Sequence, residues 1–542
     1  MPQRMSANPC RRLGRALAAM LLVWSHCADA TPGALMPLTK LVSGAQWPGI
    51  SQVIVYNRRV WFANSEPYAD FNAADIYSYD PVSGSHRYEQ QLFSQDAGEP
   101  VVFKGLLYWP FEDPRFSARR GEYLRTDGSA WQWREIRGAQ AFHAHAMGGC
   151  GEHLLNGSGA WAGGIQSSLD AGRTWRADYM HPTYERKVSR ILSFTALGQR
   201  CFAGLRAFAQ PGAKLLEWTA SGAVVPIPGA DAYEGIRSLV TYQGAVYGIA
   251  MRAKRPTLVR LDGTQVHRLD APPGDWVVSL GASEHGLFAI TVEGGSGALW
   301  RRADGNWHLV HPFTDERPSA ITVAGGAVFV GTYHKDGGSL WGPRPGHYIP
   351  RTNQDTHNTL SEPEAKSAHD LNERLNALDR ALADPQSFHR LGSPLRDILD
   401  DVVDIGGAKA GHAVSARLLT PIANTRVKTF ASPDPLSSQH VAQHHLLRAI
   451  GLIGAGYVPA QLLLAPWDQP DNPPAKYFHP TPAAIWTAGI VRQYDATTVN
   501  ALLKRLQTYP DPDWIKGDIV GALSRITSRR HGYDATRWSD TP

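Results

Sequence analysis

The chain has 542 residues, 43% of them hydrophobic and 19% charged, which is ample for more than one buried core and excludes a disordered polymer. Its formal charge of +5 sits largely at the front, where the first 30 residues carry Arg4, Arg11, Arg12, Arg15 and Asp29; without them the net charge is +2. That near-neutral balance gives no argument for nucleic acid or anionic lipid as a partner, and the chain carries no Walker-type loop and no strand–Gly-x-Gly-x-x-Gly–helix unit, so no cofactor is expected.

Residues 1–30 read as a secretory signal. Four arginines precede the apolar run 16–24, and Ala28-Asp29-Ala30 supplies small residues around a cleavage site. The run is too short to span a bilayer, so a periplasmic or secreted protein without a transmembrane segment is expected after cleavage. Trp24-Ser25-His26 ahead of Cys27 does not suit a lipid-anchored cysteine. Only Cys150 and Cys201 then remain. In an oxidising compartment they pair, closing a separation of 51 residues. The chain-entropy argument makes that closure worth roughly 4 kcal/mol. Two unpaired thiols are the alternative.

From about 50 to 345 one pattern recurs: apolar strand, short polar turn, apolar strand, variable loop, third strand, Gly-rich turn, fourth strand. Copies of the first turn begin at Val55, Val102, Ala146, Ala196, Thr241, Ala282 and Val323, 41 to 50 residues apart, which is a propeller-blade length. Seven blades are predicted, six being the alternative. The last copy has no evident fourth strand after Trp341, and residues 38–43 could supply it and close the ring.

Within the third copy stands Ser168-Leu169-Asp170-Ala171-Gly172-Arg173-Thr174-Trp175. The pattern Ser168, Asp170, Gly172, Thr174, Trp175 resembles the Asp-box of sialidases and related β-propellers. The resemblance implies a structural turn between the two outer strands of a blade, away from the central funnel. A sialidase of that family would also carry a Phe-Arg-Ile-Pro motif in the first blade. The corresponding Pro48-Gly49-Ile50-Ser51-Gln52 has no arginine, so the resemblance carries fold rather than activity.

Residues 346–366 are polar and aperiodic, a linker. Beyond them the period becomes helical: Leu371, Leu375, Leu378 and Leu382 share one face, and amphipathic segments follow near 393–405, 411–423, 437–455, 481–494, 497–508 and 513–528. Their pairing is similar to HEAT-type repeats. His440 and His444 lie one turn apart on one segment and read as a solvated helical face; no Glu follows the first His, so the metalloprotease pattern is absent. The chain thus divides into a signal (1–30), an all-β propeller (31–345), a linker (346–366) and an all-α region (367–542).

Propellers bind ligands at the funnel, and the loops between second and third strands point there. These loops place Arg115, Arg119, Trp161, Arg206, Arg252 and His334 as candidate ligand contacts, with Glu112 and Asp113 as acid and base if the protein cleaves sugars. His143 and His145 lie two apart on an inner strand, but no third ligand is evident, and no metal site is expected. The expected function is a binding or scaffolding protein of the cell envelope, its funnel taking a polar ligand such as a glycan and its helices docking a protein. A carbohydrate-active enzyme is the alternative.

Overall fold

The computed structural model describes residues 35–348 and 368–539, except 67–73, 114–119, 138–140, 142, 160–161, 183–187, 208–209, 254, 385–386, 388–393, 424, 430–431, 467–478, 510–512, 530 and 532–533. The signal and most of the linker lie outside the described residues.

Valine, isoleucine and aromatic residues alternate along the first part of the chain, and short turns return it on itself. The turns Lys104-Gly105 and Gln243-Gly244 have φ of 45° and 78°, and of 46° and 74°, the double left-handed geometry that suits two-residue hairpins. The result is seven four-stranded antiparallel sheets in succession among the described residues. Blade I comprises Gly49–Tyr56, Arg59–Ser65, Asp75–Tyr79 and His86–Gln91. The innermost strands of blades II to VI are Val101–Phe103, His143–Cys150, Ser189–Leu197, Gly235–Tyr242 and Trp276–Ser283. Blade VII has Arg317–Ala324, Ala327–Tyr333 and Leu340–Gly342, and its outer strand comes from the other end of the chain: Thr39–Val42 pairs antiparallel with Leu340–Gly342, Thr39 opposite Gly342. Seven blades, not six, close the ring.

In blade III the structure shifts the expected phase. The first turn joins Cys150 to His153, so Gly149 rather than Ala146 stands where Val55 and Val102 stand in blades I and II. Cys150, on the inner strand of blade III, is disulfide-bonded to Cys201 on the second strand of blade IV, with Cα atoms 6.0 Å apart.

The helical region contains α1 (Ala368–Ala383), α2 (Pro394–Ile405), α3 (Gly407–Ser415), α4 (Ser438–Ile453), α5 (Ala460–Leu464), α6 (Pro480–Ile490), α7 (Ala496–Thr508), α8 (Asp513–Thr527) and α9 (Ala535–Ser539). α1 packs on α2, α2 on α4, α4 on α6 and α6 on α8. The expected solvated face of α4 is not there. His444 is 2% exposed, because α4 is buried around nearly its whole circumference, polar residues included, where α2, α3 and α6 enclose it. The helices share one apolar cluster with blades I and II, in which Phe93, Trp109 and Trp133 meet Leu399, Leu447 and Ile519. At 25 cal/mol per Å² each such buried side chain contributes roughly 1.5–3 kcal/mol, so this seam joins the two regions firmly.

Candidate functional site

The inner strands build the funnel through a repeated irregularity. In blade I the pairing register shifts between Ile50 and Gln52, leaving Ser51 unpaired. The same shift falls at Ala144/Ala146, Ile191/Ser193, Val277/Ser279 and Pro318/Ala320, and a shift that skips two residues falls at Arg237/Val240. Each extra residue is a β-bulge that turns a side chain off the ladder. The residues so displaced, Ser51, His145, Leu192, Ser238, Val278 and Ser319, all line the central cavity of about 830 Å³.

Three carboxyl groups stand in this cavity. Asp96, in the connection from blade I to blade II, accepts hydrogen bonds from Ser51 Oγ at 2.6 Å, Ser65 Oγ at 2.7 Å and the Ala97 amide at 2.8 Å. Burial outweighs these bonds and raises its pKa. Glu99 follows on the same segment; its carboxyl makes no hydrogen bond among the described residues, and burial lifts it from the ordinary 4.5 to about 8. Glu112, at the end of the second strand of blade II, is pushed up to about 7 by burial first and by the Asp96 carboxylate second. Facing them are cations and an imidazole. Arg190 Nη1 lies 3.2 Å from Glu112 Oε1, and Arg206 lines the same wall. His145 Nδ1 is 3.8 Å from that Glu112 oxygen. Its ring is held well below its ordinary pKa by burial, then by His143, Arg190 and Arg206, and Nε2 is buried without a hydrogen bond among the described residues. The funnel thus holds a proton-bearing carboxyl, a neutral imidazole and two guanidiniums within one wall. That set can clamp an anionic group bidentately and exchange a proton with a hydroxyl beside it.

The structure distributes the sequence candidates unevenly. Glu112 and Arg206 enter the funnel. Asp113 does not line it: its amide donates to Ser94 Oγ, and its charge acts on His143. Arg252 is exposed at the end of a strand, opposite Arg255, and His334 folds into its own turn, accepting at Nδ1 from the Asp336 amide. Neither lines the cavity. Arg115, Arg119 and Trp161 lie outside the described residues. Arg120, from the same loop as Glu112, turns the other way and pairs with Asp400 of α2 at 2.6 Å. Asp96, Glu99 and Arg190 were not among the candidates. Position marks the bulge residues, which fall five residues before the last residue of the inner strand in five of the blades, but it does not mark Asp96, Glu99 or Arg190. Among the described residues no three His, Cys, Asp or Glu side chains group as a cation site.

The stretch 168–175 lies far from the funnel. It joins Gly164–Ser168 to Arg176–Met180, the outer strands of blade III. Asp170 accepts from the Thr174 amide at 2.9 Å, Thr174 Oγ1 at 2.6 Å and Ser168 Oγ at 2.8 Å, and Trp175 Nε1 donates to the Gly172 carbonyl at 3.2 Å. Gly172 is at φ 91°, and a Cβ there would sit 2.2 Å from the Tyr123 hydroxyl. The side chains of Ser168, Asp170, Thr174 and Trp175 are thus spent on the turn, while the Ala171 and Gly172 carbonyls accept from Arg125 and Tyr123 of blade II.

The architecture defines this chain as a β-propeller protein with a C-terminal helical region. No family model matches the sequence, and no curated protein matches it. Among solved structures it is similar to a catalytically inactive virginiamycin B lyase from Staphylococcus aureus with quinupristin, at 12% identity and a TM-score of 0.42, over 56% of this chain and 99% of that one. It is also similar to the computationally designed Ika8 protein, at 13% identity and a TM-score of 0.39, over 56% and 99%. A third likeness is to a GH74 enzyme of Niastella koreensis, at 11% identity and a TM-score of 0.42, over 55% and 53%. Among the described residues no helix is long and apolar enough to cross a membrane.

Proposed function

We propose that this is an exported binding protein of the cell envelope whose propeller funnel takes a polar ligand bearing a carboxylate, of the kind carried by acidic glycans. The observation that supports it is Glu112, raised by burial and facing Arg190 at 3.2 Å and Arg206 in the same cavity, with the raised carboxyl of Glu99 also in its lining. Guanidiniums recognise a carboxylate in a planar, two-bonded fashion, while protonated carboxyls offer both a donor and an acceptor to sugar hydroxyls. Ile50, Leu280 and Trp276 supply apolar wall against which a sugar ring packs. In this reading the turn 168–175 is an Asp-box that stiffens blade III, and the stacked helices, HEAT-like in their pairing, carry the protein-docking role. The apolar surface of Leu419, Tyr457 and Tyr494, each about half exposed, supports that role.

A second reading is favoured by one observation: Glu112 holds its proton near neutral pH beside Asp96, the arrangement of an acid and its carboxylate partner in glycoside cleavage. One experiment separates the two. The mature chain is incubated with sialosides and envelope polysaccharides, and both retention and released sugars are followed by mass spectrometry. Retention of carboxylated glycans, weakened about tenfold or more in Arg190→Gln, supports binding. Release that vanishes in Glu112→Gln supports the enzyme. Neither retention nor release removes the glycan reading.

A further inference from the structure

A second cavity, of about 730 Å³, opens where the outer strands of blades I and II meet the helical region. Its charged lining is of one sign. Arg134, Lys409, Arg492 and Arg525 contribute to its wall, and no Asp or Glu does among the described residues. Two of these cations are held by neutral groups. Arg525, 2% exposed, donates to the Gln91 carbonyl at 2.6 Å and the Gly489 carbonyl at 3.1 Å, and its guanidinium lies over the rings of Phe93 and Trp133. Arg134 donates to the Trp133 and Leu452 carbonyls and to Gln132 Oε1. The acid whose field reaches Arg134, Asp404, is taken by Arg137 at 2.6 Å. Lys409 and Arg492 form no ion pair among the described residues and are exposed at the cavity mouth.

The backbone adds to the same field. α3 begins at the cavity wall: Gly406, Gly407, Ala408 and Lys409 line it, and Gly406 gives the helix no side-chain cap, so its first amides and the positive end of its dipole face the opening. Apolar groups, Trp131 and Leu452 among them, complete the lining. Confining positive charge in a partly dry cleft without anions costs free energy that an arriving anion removes.

We propose that this cleft is a second ligand site, separate from the funnel, for a small amphipathic anion: a phosphate or carboxylate joined to an aromatic or acyl group. The anion lies against Lys409, Arg134 and the α3 amides, and the apolar part lies along Trp131 and Leu452. The volume falls in the range of about 300–1,000 Å³ common for small-molecule sites. Because the walls come from both the propeller and the helices, such a ligand joins the two regions without entering the funnel.

Calorimetric titration of the mature full-length chain with phenyl phosphate, benzoate, inorganic phosphate and phenol tests this. Phenyl phosphate or benzoate should bind at least about tenfold tighter than phenol and than inorganic phosphate, and the tighter of the two names the anion. The double variant Lys409→Gln/Arg492→Asn should weaken that anion about tenfold or more and leave phenol unchanged. Both positions are exposed, and Asn suits the left-handed backbone at 492, where φ is 51°, so the variant keeps its fold. Equal binding of phenol and the two aryl anions, or a double variant that binds as the parent does, overturns the proposal. Inorganic phosphate binding as tightly as phenyl phosphate overturns its apolar half.

Discussion

Arg448 of α4 and Glu135 of blade II meet side chain to side chain across the seam between helices and propeller, and solvent reaches neither. Arg448 Nε donates to Glu135 Oε1 at 2.5 Å, and its Nη2 donates to Asp400 at 2.8 Å. Arg396 and Arg120 lie 3.7 and 3.4 Å from the other Glu135 oxygen, Oε2. Removing one partner strands a buried charge, so Arg448→Met should cost about 3–5 kcal/mol in urea unfolding. A double replacement, Glu135→Leu with Arg448→Met, should recover a large part of that loss. A single variant as stable as the parent would show that the pair does not hold the seam.

The same pair sets an acid limit. Burial alone would raise Glu135, but Arg448, with Arg396 and Arg120, outweighs it and leaves the carboxyl at about 2. A carboxyl lower in the folded state than its ordinary 4.5 contributes stability that is present above about pH 4.5 and is lost as pH falls through 2. The urea midpoint should therefore drop across that window. In Glu135→Gln the drop should be shallower; an identical slope would place the acid sensitivity elsewhere.

The funnel carries the opposite dependence. Glu99 is raised to about 8, so its contribution is whole below about pH 4.5 and gone once pH passes about 8. Glu99→Gln should raise the melting temperature by about 2–4 °C at pH 8.5 and change little at pH 4. Differential scanning calorimetry at the two pH values decides it, and an equal shift at both would reject the assignment.

Asp170→Ala removes three acceptor contacts from one turn and should destabilise by about 1–3 kcal/mol, with ligand retention in the funnel unchanged. Selective loss of retention at parental stability would mean that the turn takes part in recognition.

The disulfide predicts its own signature. Reduction should add two hydrogens to the intact mass, and Cys201→Ser should lower stability by roughly 4 kcal/mol, since the bridge closes a separation of 51 residues. Intact mass spectrometry before and after reduction reads the first, and urea unfolding the second.

The blades were legible because each is a local object. Strand pairs such as Tyr56 with Arg59 and Tyr242 with Ala245 are sealed by two-residue turns, so the repeat is written in adjacent residues. Even the closing strand could be read from the missing partner of Leu340–Gly342. The funnel was less legible, because Asp96, Glu112 and Arg190 come from a connection and two different blades and meet only in the folded arc. Arg206 and Glu112 were found by loop position, whereas Arg252 and His334 show how poorly loop position alone locates a lining residue. What aims these side chains inward is the bulge, found in six of the seven inner strands, and it leaves no compositional mark: Ser51, His145 and Leu192 share a place and no chemistry. The seam was hidden for a different reason. Glu135 and Arg448 are 313 residues apart, and a buried ion pair looks like any surface charge until its partner is known.

Because Thr39–Val42 completes the sheet begun at Arg317, the first strand to leave the ribosome is the last to find its neighbour. Lys40 must wait for Glu316, 276 positions away, before their contact at 2.5 Å can form. Until then blade VII is a three-stranded edge and blade I is joined to only one neighbour. A nascent or truncated chain ending before Leu340 is therefore an open arc with adhesive edges, not a smaller propeller. Closure thus couples the two ends of the repeat: Thr39–Val42 and Leu340–Gly342 must both be present before blade VII has its full set of strands.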